Sequence, residues 1–150
     1  MPVHLAPSLL VPAAALVVWS LAMLVWLLIV RFSAFKVAGI DLRKVPRGGR
    51  GQELDRMLPP QANWPAHNYA HLMEQPTLFY PTILILALLG QGSALNLGLA
   101  WAYVLLRIVH SIWQARVNIV AIRAGLFLLS SLVLMLLAIN ALIAALAAAL

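Results

Sequence analysis

The sequence predicts an all-α integral membrane protein, a bundle of four transmembrane helices forming one domain over residues 1–150. Three observations predict it. Hydrophobic residues make up 64% of the chain and charged residues 9%, against roughly one quarter charged in soluble domains. Four apolar stretches each approach or exceed the ~20 residues that a bilayer core requires. All ten Lys and Arg fall between Arg31 and Arg123, so the basic charge is confined to particular connections and span ends. The absence of cysteine excludes disulfides, thiolate metal sites and cysteine nucleophiles. The net charge of +6 points to anionic lipid or an anionic substrate. Nucleic acid is not expected as a partner, because most basic residues lie in a loop between spans or inside the spans.

The first span is read over residues 9–30. Its apolar run is too long for a signal-peptide core and has no basic lead, so it is expected to be retained as a span. Residues 32–62 form the one long polar connection, "FSAFKVAGIDLRKVPRGGRGQELDRMLPPQA". Its front half is able to continue the first helix out of the membrane, until Pro46, Gly48, Gly49 and Gly51 break it. "NWP", Asn63 to Pro65, reads as a helix start, since proline is tolerated in a first turn. The second span follows over 64–89, and "GQGS" at 90–93 is a tight turn. The third span covers 94–117. A short connection near Asn118 leads to the fourth, over 122–148. Seven of the ten basic residues lie within 31–56, so the positive-inside rule places the long loop and the third-to-fourth connection in the cytoplasm. Both termini then face the non-cytoplasmic side.

Ionisable residues inside spans are costly and mark function or helix contacts. In the second span His67, His71 and Glu74 are spaced i, i+4, i+7, on one helical face. In the third, Tyr103, Arg107, His110 and Gln114 are spaced i, i+4, i+7, i+11, again on one face, with Ser111 at its border. Glu74 lies about 14 Å past Pro65 and Arg107 about 15 Å before Val117, at about 1.5 Å per residue. The depths match, so Glu74 and Arg107 are expected to pair, with His71 near His110 and Gln114 nearer the mouth of a pocket open to the cytoplasm. Arg123 would overhang that mouth. Pro76 removes a backbone donor and leaves the Leu72 carbonyl without its helical partner, and Pro81 does the same to Thr77. Simpler roles exist for each residue. Glu74–Arg107 could be a purely structural ion pair, the histidines hydrogen-bonded helix contacts, Arg116 and the loop cations topology determinants and lipid-phosphate contacts. Asn140, alone in an apolar helix, reads as interhelical glue.

These residues resemble the MAPEG superfamily, membrane-associated proteins in eicosanoid and glutathione metabolism, over essentially the whole chain. The second-span glutamate followed by proline is matched by Glu74 and Pro76 in "HLMEQPTLFY". The third-span arginine with a polar residue three on is matched by Arg107 and His110 in "RIVHS", and the arginine opening the fourth span by Arg123. The match is closest to a bacterial branch with "E-x-P-x-x-F-Y". The resemblance implies a homotrimer in the bacterial inner membrane, with glutathione bound as cosubstrate between subunits near the cytoplasmic side. By position, Glu74 would hold the glutathione amino group, Arg107 and His110 its peptide or carboxylate groups, and Arg123 its thiolate. An arginine beside a thiol in a partly dry site makes more thiolate at neutral pH. His67 and His71 stand where the eukaryotic synthases carry arginine and asparagine, and Gln114 where better-known members carry tyrosine.

Three functions are therefore set against one another. The first is a glutathione-dependent transferase or peroxidase acting on lipophilic small molecules that arrive from the bilayer. The second is a scaffold held by a Glu74–Arg107 ion pair. The third is a metal-binding membrane protein, since His67 and His71 form an i, i+4 chelate that Glu74 and His110 could complete. The chain has only four histidines, including His4, too few for an eight-histidine di-iron site.

Overall fold

The chain builds five α-helices and no strand among the described residues. They are α1 (Leu10–Val37), α2 (Pro60–Leu72), α3 (Pro76–Leu88), α4 (Ala94–Arg116) and α5 (Val120–Ala149). The structure is a computed structural model that describes residues 5–48 and 50–150; His4 and Gly49 lie outside the described residues. Three segments are long and apolar enough to cross a membrane: Pro7–Val37, Ala94–Arg116 and Val120–Ala149. The expected second span is instead two helices of 13 residues each, joined by the turn Met73–Gln75. Pro76 is the cause. It has no N–H to offer Leu72, so the helical ladder stops there and restarts with proline in a first turn, where the missing donor costs nothing.

The start of α2 also differs from expectation. The helix begins at Pro60, and Pro65 lies inside it. The Pro59–Pro60 pair supplies the first-turn proline five residues before "NWP" does. α1 runs on to Val37, as the front half of the long connection allows. At 28 residues it is about 42 Å long, close to the full bilayer including its headgroup layers.

The turns are built by residues suited to them. Gly90 has φ +71° and ends α3, with Gln91 N–H donating to the Leu86 carbonyl at 2.8 Å and Gly90 N–H to that of Ala87 at 3.2 Å. These are the two bonds of a Schellman cap. Ser93 then caps α4 through the Asn96 N–H at 3.2 Å,. Asn118, at φ +56°, makes the α4–α5 connection, asparagine being among the few residues besides glycine that adopt the left-handed region readily. Asn140 donates to Asn96 at 2.8 Å, joining α5 to α4 at the end opposite the basic loop.

The core lies where α1, α3, α4 and α5 meet, around Leu16, Phe79, Ile83, Val104 and Leu137. Phe79 stacks on Tyr103 with ring centroids 4.4 Å apart. Long apolar side chains such as Val18, Leu21, Leu128 and Leu132 point outward, as suits helices solvated by lipid. α2 packs between α1 and α4, which sets His71 of α2 against the polar face of α4.

Candidate functional site

The site is organised by the break between α2 and α3. A helix that stops inside a bundle leaves its last carbonyls without partners and carries partial negative charge at that end. Arg107 answers both. Its side chain has no exposed surface, and its Nη2 donates to the His71 carbonyl oxygen at 2.9 Å. Gln75, in the break itself, ties the turn to two other helices. It donates to Ser131 Oγ at 2.6 Å and accepts from Tyr103 at 3.3 Å and Ser130 at 3.4 Å. The Thr77 hydroxyl donates to the Glu74 carbonyl and closes the turn.

Glu74 faces the other way. Its side chain is 67% exposed, and its Oε2 lies 2.7 Å from His71 Nδ1. The Glu74–Arg107 ion pair expected from matched depths does not form: the ion pairs among the described residues join Arg31, His67 and His71 to carboxylates. The helix break explains the difference. Arg107 meets the end of α2 at His71, and the turn at 73–75 carries the glutamate away from α4.

His71 and His110 are brought together as expected, with ring centroids 5.0 Å apart. His71 also lies 5.2 Å from the Phe127 ring. His71, His110, Arg123, Ala124 and Phe127 line a cleft of about 210 Å³ between α2, α4 and α5. Arg123 overhangs it, held by a 2.7 Å bond from its Nη1 to Asn118 Oδ1. Behind the cleft, the buried face of α4 carries polar atoms with no partner in the chain: Arg107 Nε and Nη1, both His110 ring nitrogens and Gln114 Oε1. Asn68 of α2 donates to Ser111 at 2.7 Å, and its own carbonyl oxygen is equally unpartnered. Buried groups of this kind are costly to leave unmet. Two N–H donors of a guanidinium, an imidazole and an amide oxygen suit a ligand with carboxylate and peptide groups.

A family model, that of the MAPEG family, matches residues 9–143 of the chain. The chain belongs to the MAPEG family. No curated protein and no solved structure matches it at a significant level.

In this MAPEG chain, membership and three crossing-length apolar helices together make a membrane protein of a family associated with glutathione and eicosanoid metabolism. The expected site residues fall into four places. His71, His110 and Arg123 share the cleft. Arg107 and Gln114 are buried behind it, and Glu74 stands on the outer surface beside His71. His67 belongs elsewhere. Its Nε2 lies 3.3 Å from Asp55 Oδ2, in an outer cleft of about 590 Å³ with Asn63, Trp64 and Asn118. Asp55 is also bonded to Arg31, and its carbonyl accepts from Asn63 at 2.7 Å. Among the described residues no group of three or more His, Asp or Glu is placed to hold a metal ion.

Sequence reasoning did not assign roles to Gln75, Asn68, Asn118 or Phe127. A signal existed for the first two. They lie seven residues apart, the same spacing as His67 and Glu74, and face the same buried side as α4's polar row.

Proposed function

We propose that this MAPEG chain is a glutathione-dependent transferase or peroxidase acting on lipophilic electrophiles, with Arg123 stabilising the glutathione thiolate. The observation that carries the reading is the cleft of His71, His110 and Phe127 under Arg123, backed by the unpartnered atoms of Arg107, His110 and Gln114. In this reading Arg107, His110 and Gln114 bind the peptide and carboxylate groups of glutathione. His71 and Glu74 hold its amino end, and Arg123 stands over the sulfur. His67 joins them only from the outer cleft, as a contact at the mouth. A cation beside a thiol raises the thiolate fraction at neutral pH. The sulfur lone pair then attacks the electrophilic carbon and the leaving group departs with the bonding pair.

The cleft supports an assembly as well as a ligand. At about 210 Å³ it is smaller than the ~300–1,000 Å³ usual for ligand pockets, so one protomer encloses only part of a tripeptide. Glu74 lies on an outer face at mid-span depth, where a carboxylate exposed to lipid is strongly disfavoured. A homotrimer with glutathione at the subunit boundary answers both points. The broken α2–α3 pair then acts as the fourth crossing, both termini lie on the non-cytoplasmic side, and the setting is a bacterial inner membrane. The scaffold reading loses its basis, since its ion pair does not form.

The test is ligand-dependent stabilisation of detergent-solubilised protein. Glutathione and S-hexylglutathione at about 100 Kd should each add about 2.7 kcal/mol, whereas oxidised dithiothreitol and free glutamate should add nothing. No shift with either glutathione species would overturn the reading.

A further inference from the structure

Outside the site, a large cavity lies against the last turns of α1. It is a groove of about 610 Å³ walled by Ile29, Val30, Ser33 and Val37 on one side and Met57 and Ala62 on the other. Ser33 is the one polar side chain among these. The groove opens at Ala38 and Met57 into a second cleft of about 440 Å³, which contains Lys44, Asp41 and Glu53.

The position of the pair is unusual for apolar surface. The first crossing segment reaches its basic end at Arg31, and α1 continues six residues beyond it. The groove therefore begins at the acyl boundary, at Ile29 and Val30, and rises into the headgroup layer. Val37 and Met57 are largely exposed there. Apolar walls at that depth are uncovered unless an apolar occupant lies against them.

Charge indicates the occupant. Residues 31–56 hold seven Lys and Arg and three Asp and Glu, a net of 7 − 3 = +4. Arg31 is paired with Asp55. Lys36, Arg43, Lys44, Arg47, Arg50 and Arg56 are exposed and make no ion pair among the described residues. The two remaining carboxylates cap backbone amides: Asp41 accepts from Arg43 N–H at 3.0 Å and Glu53 from Arg50 N–H at 3.3 Å. A cluster of four to eight cations beside a membrane-crossing helix attracts anionic lipid headgroups.

We propose that the groove and its adjoining cleft form a binding site for an anionic phospholipid. The upper acyl chain and glycerol lie against Val30, Val37 and Met57, and the phosphate lies toward Lys44. Glu53 opposes the phosphate and limits affinity. The site is independent of the glutathione reading and is built from α1, the loop and the start of α2, sharing no residue with the α2–α4–α5 cleft.

Native mass spectrometry of the full chain in mild detergent tests this, because one spectrum reads bound lipid and subunit number together. The probes are dioleoyl-phosphatidylglycerol and dioleoyl-phosphatidylcholine. Phosphatidylglycerol should bind several-fold tighter. Lys44→Gln should weaken it about fivefold and weaken phosphatidylcholine, whose choline offsets the phosphate charge, by less. Glu53→Gln keeps the capping acceptor and removes the opposing charge, so it should tighten phosphatidylglycerol binding. Ser33→Trp places an indole in the groove and should weaken both lipids. Equal affinity for the two lipids, or unchanged binding in both Lys44→Gln and Ser33→Trp, would overturn the proposal. So would displacement of the lipid by millimolar inorganic phosphate, which would mark a free-anion site. A Ser33→Trp variant with altered subunit number and unaltered lipid binding would assign the groove to a neighbouring copy and equally reject it.

Discussion

Arg107 donates to the backbone carbonyl of His71 at 2.9 Å, so the buried cation of α4 is held by the end of a broken helix and not by a carboxylate. This relationship meets the helix end that Pro76 creates, with His71 against His110 and the glutamate of the same segment on the outer surface. It also separates two substitutions that an ion pair would make equivalent.

Arg107→Ala removes a large, fully buried side chain and takes from the His71 carbonyl its 2.9 Å donor, leaving only the 3.4 Å bond from Glu74 N–H. Large-to-small changes of this kind cost about 2–5 kcal/mol. Glu74→Gln alters a side chain that is 67% exposed and should shift the ligand-free stability by no more than about 0.5 kcal/mol, while reducing the stabilisation by glutathione. Thermal melts of both variants with and without glutathione check this. Equal destabilisation by the two would restore the direct pair.

Gln75 ties the break to α4 and α5. Gln75→Leu loses bonds to Ser131, Tyr103 and Ser130 at about 1 kcal/mol for each well-formed one, so a loss of roughly 1–3 kcal/mol is expected. In a double-mutant cycle with Ser131→Ala the two changes should be non-additive by about 0.5 kcal/mol or more. Strict additivity would show that Gln75 acts elsewhere.

Much of this was legible in the residues. Three of the four apolar runs are crossing-length helices, and the buried row of Tyr103, Arg107, His110 and Gln114 follows from helical periodicity within α4. The meeting of His71 with His110 follows from matched depth, and the Asn140 contact from a lone polar residue in an apolar helix. The expected Glu74–Arg107 pair does not form because counting by i+4 and i+7 assumes an unbroken helix. Three non-helical residues before Pro76 are enough to change the direction of a side chain, and sequence spacing carries no measure of that turn. The start at Pro60 was missed for a related reason. Pro65 lies inside α2, past a first turn already opened by Pro60, so proline marks a first turn only in context.

The long loop is fastened at Asp55, which joins Arg31 of α1 to His67 of α2. Asp55→Ala should release the segment around Arg50 and Arg56, both exposed. Limited trypsin digestion should then cut there several-fold faster than in wild type. The global melt should fall by about 1.5–3 kcal/mol, since Arg31 and Asp55 are 16% and 18% exposed and hydrogen bonds to charged groups contribute about that much. Cleavage at the wild-type rate would mean that the loop is held by contacts other than Asp55.

The central claim is that Arg123 stabilises a glutathione thiolate over the His71–His110 cleft, and the most direct measurement is turnover against affinity in Arg123→Ala. With chlorodinitrobenzene as electrophile, kcat should fall by about 10²–10³-fold, with glutathione affinity nearly unchanged and the ultraviolet thiolate difference absorbance lost at neutral pH. A rate that drops at constant affinity marks an interaction realised on the reaction path. Full turnover in Arg123→Ala, or wild-type protein that binds glutathione without any thiolate absorbance, would contradict the account.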